Sequence, residues 1–151
     1  MTRKIIIAEH ADHWFGDSFE EWKKTLAQEG VEHIAIEYIR VTDRVWEQMK
    51  TQGFVSFFQE KATPSDIIII NIHLGMPFLE RRTVGHEGKD VYDELQDADT
   101  PYTVFLKGCR AYFKAWQDCC TDLSHIRSRE EAPAGGNMDF IAKQIAQRGG
   151  L

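Results

Sequence analysis

The stretch EHADH gathers Glu9, His10, Asp12 and His13 within five residues, and His73 and His86 follow further along the chain. Imidazoles and carboxylates at close spacing can hold a transition metal, and an open coordination position there can activate water for hydrolysis. His10, His13 and His73 are the candidate ligands of such a centre. No H-E-x-x-H or comparable helical spacing accompanies them, and histidines scattered over a surface give the same pattern. Asn71 and Lys107 are candidates of another kind. Each closes an apolar run, in IIIIN and VFLK. A polar residue that ends a buried strand stands where an α/β sheet opens to its ligands. Cys119 and Cys120 are neighbours without a C-x-x-C motif, which reads as thiols on a helix rather than a metal or redox pair.

Periodicity supplies the elements that would present these residues. Lys4 to Glu9 (KIIIAE) is a short continuous apolar run, the pattern of a strand covered on both faces. A helix follows from Ser18, with Glu21 completing a capping box, Phe19, Trp22 and Leu26 on one face, and Gly30 as the C-terminal cap. Val31 to Ile39 alternates and predicts a second strand. Thr42 caps a helix whose inner face is Val45, Trp46 and Met49. Gly53 interrupts it, FVSFFQEK continues as separate helix, and Pro64 ends the segment. Asp66 to Ile72 is the strongest buried strand, and a long polar loop from His73 to Gly88 follows it. KDVYDELQD predicts a helix with Val91 and Leu95 inward, and Thr103 to Leu106 a fourth strand. Cys109 to Leu123 has helical spacing, Ile126 marks a weak fifth strand, and Asn137 caps a last helix through Phe140, Ile141 and Ile145.

Strand and helix thus alternate about five times, which implies one α/β domain over residues 1–151 with a mostly parallel sheet. Ligands of such sheets bind beyond the C-terminal strand ends. That rule selects residues 9–14, 71–75 and 107–108.

Composition excludes several classes. Lys and Arg number 18 against 24 Asp and Glu, a net charge of -6, so no general basic field attracts nucleic acid. The longest apolar run, Ile67 to Ile70, is far too short for a membrane span, and the N-terminal apolar stretch is too brief for a secretory signal. Three cysteines without a pairing pattern predict a reducing, cytoplasmic setting.

The same strand ends resemble the receiver domain of bacterial response regulators. KIIIAEHAD resembles that family's first strand, which ends in an acidic pair. DIIIINIHLGMP resembles its third strand and following turn, which carry the phosphoacceptor aspartate. GHEGKDVYDELQ followed by TPYTVFLKG resembles its third helix and fourth strand. The resemblance spans nearly the whole chain. It implies a flavodoxin-like three-layer sandwich with a parallel five-stranded sheet in the order 2-1-3-4-5.

Matched to that pattern, Glu9, His10, Asn71 and Lys107 form a degenerate phosphoacceptor pocket, with Asp12, His73 and Gly108 as neighbours. Asn71 stands in the phosphoacceptor position, and a carboxamide is a poor nucleophile. Glu9 and His10 replace the acidic pair, and magnesium prefers hard oxygen ligands. Lys107 replaces the hydroxyl residue of the fourth strand, and HIRSREEAP holds no clean counterpart of the family's lysine. Asp66, five residues before Asn71, lies roughly 16 Å away along a strand and cannot substitute. The expectation is a pseudo-receiver that keeps the scaffold, performs no catalysis, needs no cofactor and binds magnesium weakly or not at all. Lys107, Glu9 and Asp12 would form a metal-free ion-pair network. The alternative is that Lys107 snorkels into solvent.

The resemblance implies a role in two-component signal transduction by protein contact, with a kinase or regulator as partner. It also implies pairing of two copies through the face of the fourth helix, fifth strand and fifth helix. No DNA-binding segment follows the last helix in this sequence, so output is expected through another protein. Arg81 and Arg82 in the 73–88 loop are a candidate contact. A nucleotide-binding reading fits poorly, because EHADHWFGD is acidic and bulky where a phosphate needs a Gly-rich loop. The metal-binding or hydrolytic reading on His10, His13 and His73 remains the alternative.

Overall fold

The computed structural model describes residues 4–10, 18–31, 34–71, 74, 87–98, 102–107 and 138–147. The chain divides into two compact units, Met1–Ser18 with Ile34–Leu106, and Phe19–His33 with Lys107–Leu151.

The first unit is built on a sheet. Its strands are β1 (Lys4–His10), β2 (Ala35–Val41), β3 (Ile67–Asn71) and β4 (Thr103–Lys107), in the order β2-β1-β3-β4. The fold is α/β with a four-stranded parallel sheet among the described residues. β1 pairs with β2 from Lys4↔Ala35 to His10↔Val41, and with β3 from Ile5↔Ile67 to Ala8↔Ile70. The two isoleucine runs are the inner strands because both their faces need cover. Ile5, Ile6, Ile7, Ala8, Ile68, Ile69 and Ile70 are all completely buried. β2, at the end of the order, is mostly half-exposed.

β2 starts later than the alternation of Val31–Ile39 predicts, and runs to Val41. The reason lies in the end of the preceding helix, α1 (Ser18–Gln28). Gly30 takes φ +80, its N–H bonds the Ala27 carbonyl at 3.0 Å, and the Val31 N–H reaches back to the Leu26 carbonyl at 2.9 Å. This is a Schellman closure, with Val31 and Leu26 as its buried hydrophobic pair. Val31 therefore belongs to the helix stop and not to the strand.

Thr42 caps α2 (Asp43–Gln52), its hydroxyl accepting the Val45 N–H at 3.2 Å. Gly53, at φ +93 and ψ +136, breaks the helix, and α3 (Phe54–Gln59) continues with Phe57 and Phe58 buried. α4 (Glu87–Asp97) begins two residues before the predicted KDVYDELQD and buries Val91, Tyr92 and Leu95. It packs on β3 and α3.

In the second unit, Trp22 and Leu26 of α1 are buried, as are Ile141, Ala142 and Ile145 of α5 (Met138–Gln147). The Thr25 hydroxyl donates to the Met138 sulfur at 3.3 Å and joins the two helices.

The predicted helix over Cys109–Leu123, the fifth strand near Ile126, the Asn137 cap and the Arg81–Arg82 pair lie outside the described residues. Among the described residues no helix is long and apolar enough to cross a membrane.

Candidate functional site

Among the described residues, the buried charged and amide side chains are Glu9, Asp66, Asn71 and Lys107. Such groups are costly to bury unless hydrogen-bonded or paired, so each marks a place where the sequence accepts that cost. Three of them stand at C-terminal strand ends: Glu9 is the penultimate residue of β1, Asn71 the last of β3 and Lys107 the last of β4.

Glu9 and Asn71 belong to the first unit. Ala8 is the register partner of Ile70, so Glu9 and Asn71 stand one step further on, on the same face of neighbouring strands. Glu9 is completely buried and Asn71 is 3% exposed. On its other side β1 carries the register pairs Ile7↔Tyr38 and Glu9↔Arg40. The Tyr38 phenol, half-buried on β2, donates to Glu9 Oε2 at 3.1 Å. A buried carboxylate, a phenol that orients it and a carboxamide thus share one face at the C-terminal margin of the sheet. These groups can donate and accept hydrogen bonds. The set holds no activated nucleophile.

Lys107 belongs to the second unit. It is buried, and its ammonium lies 5.8 Å from the ring centroid of the fully buried Trp22. A cation over an indole face is favourable, and more so away from water. At 8% exposure the residue is buried, which does not match a lysine extended into solvent, and Trp22 provides an aromatic ring beside its ammonium.

Asp66 does different work at the opposite end of the sheet. Its Oδ1 accepts the Lys4 N–H at 3.0 Å and its Oδ2 accepts the Thr63 N–H at 2.8 Å. Its own N–H donates to the Thr63 carbonyl at 2.9 Å, and its carbonyl accepts the Thr103 N–H at 3.3 Å. One residue thereby joins the N-terminal ends of β1, β3 and β4. The turn Thr63-Pro64-Ser65-Asp66, with proline at its second position, holds the carboxylate there. The sequence reading excluded Asp66 as a phosphoacceptor and missed this structural role. Its signal was an acid beside a proline turn, at the mouth of an apolar run.

Tyr102, just before β4, was also missed. It is buried, and among the described residues its hydroxyl has no hydrogen-bond partner. Burial pushes its pKa above the usual tyrosine value.

His10 ends β1, and its side chain lies outside the described residues, as do Asp12, His13, His73 and Gly108 entirely. Among the described residues no three His, Cys, Asp or Glu side chains gather as a metal site. No protein-family model, curated protein or solved structure matches this chain.

Proposed function

We propose that the chain is an atypical receiver, a pseudo-receiver that transmits signals in the cytoplasm through contacts with a kinase or regulator. It is not switched by ordinary aspartyl phosphorylation and performs no catalysis. In this reading the four parallel strands are the first four of a five-stranded flavodoxin-like sheet, order 2-1-3-4-5. The observation that carries it is Asn71 at the end of β3, level with a buried Glu9 that is already engaged by Tyr38.

A receiver takes magnesium between hard oxygen ligands. Among the described residues the donors are one carboxylate, held by a phenol, and one carboxamide. Those two groups alone are a poor match for a cation of this kind, and no phosphoryl step is derived through one.

The test is intact-mass measurement after incubation with a small acyl phosphate and magnesium. The wild-type chain should gain no phosphoryl mass. Asn71→Asp should gain little, because the first-strand acidic pair is still incomplete. A phosphoryl adduct on the unaltered chain overturns the reading.

A further inference from the structure

We draw no further inference here: the strongest candidate, the half-exposed surface patch at the junction of α2 and α3 where Trp46 stacks on Phe54 with ring centroids 5.4 Å apart, carries nothing, because nothing in the structure shows what covers it.

Discussion

The phenol of Tyr38 donates to the carboxylate of Glu9 at 3.1 Å, from the outermost strand of the sheet to the strand beside it. The two residues are not register partners; Tyr38 pairs with Ile7, and its ring reaches one pair further along the same face. The bond ties the buried acid of the candidate site to the half-exposed edge of the sheet.

Tyr38→Phe removes that donor and leaves a buried carboxylate less well solvated. The expected loss is about 1–3 kcal/mol of stability, read by urea denaturation at neutral pH. In a double-mutant cycle with Glu9→Gln the two losses should be non-additive, since each variant breaks the same contact. Strict additivity would show that the bond contributes nothing.

Asp66→Ala should be more damaging than any change at the C-terminal margin of the sheet. It deprives the Lys4 and Thr63 N–H groups of their acceptor, at about 1–3 kcal/mol for each that water does not reach. Asp66→Asn keeps one oxygen acceptor and should lose roughly half as much. Amide hydrogen exchange at Lys4 and Thr63 should accelerate in both, which locates the effect.

Tyr102→Phe should stabilise the chain, by about 1 kcal/mol at neutral pH, because it deletes a buried hydroxyl that lacks a partner. The pH dependence follows from burial raising the tyrosine pKa. Between the unfolded value, ~10, and the raised folded value, the unfolded chain has lost the phenol proton and the folded chain retains it. This contribution to stability is complete below the unfolded pKa and is lost as pH rises through that window. Denaturation from pH ~9 to ~11 should show wild type declining more steeply than Tyr102→Phe.

Gly30→Ala and Gly53→Ala should both destabilise, although a Cβ at either position would meet nothing within 4 Å. The cost is in the backbone. Gly30 at φ +80 sits in the left-handed region, and alanine there should lose about 1–2 kcal/mol. Gly53 at φ +93 and ψ +136 lies further from any conformation open to alanine and should lose about 1–3 kcal/mol. Thermal melts of the two variants give the comparison.

Magnesium titration followed by NMR bears on the proposed function. Millimolar magnesium should produce no site-specific shift at the Glu9 and Asn71 amides. Saturable shifts at both would mean that the site takes the cation, and would overturn the metal-free reading of the proposed pocket.

The inner strands were legible in the residues because KIIIAE and DIIIINI are each apolar without alternation, short and rich in β-branched isoleucine, the pattern of a strand covered on both faces. Thr42, Gly30 and Gly53 were legible for a local reason: a cap or a positive φ depends on a few adjacent residues. The polar strand ends Glu9, Asn71 and Lys107 were legible through a general property of parallel sheets. What was not legible came from contacts remote in sequence. Asp66 bonds Lys4 across 62 positions and Tyr38 bonds Glu9 across 29. No pattern in the chain announces such pairs, because they exist only once β1 has been laid between β2 and β3. The start of β2 was misread because Val31 alternates like a strand residue, yet the backbone closure of α1 claims it first. For Lys107 the residues left open an ion-pair network with Glu9 and Asp12 or a side chain in solvent; the neighbour seen beside it is Trp22, which no spacing in the chain announces. Local preference writes the elements into the chain; the energy of burying charge is settled only by neighbours that folding brings together.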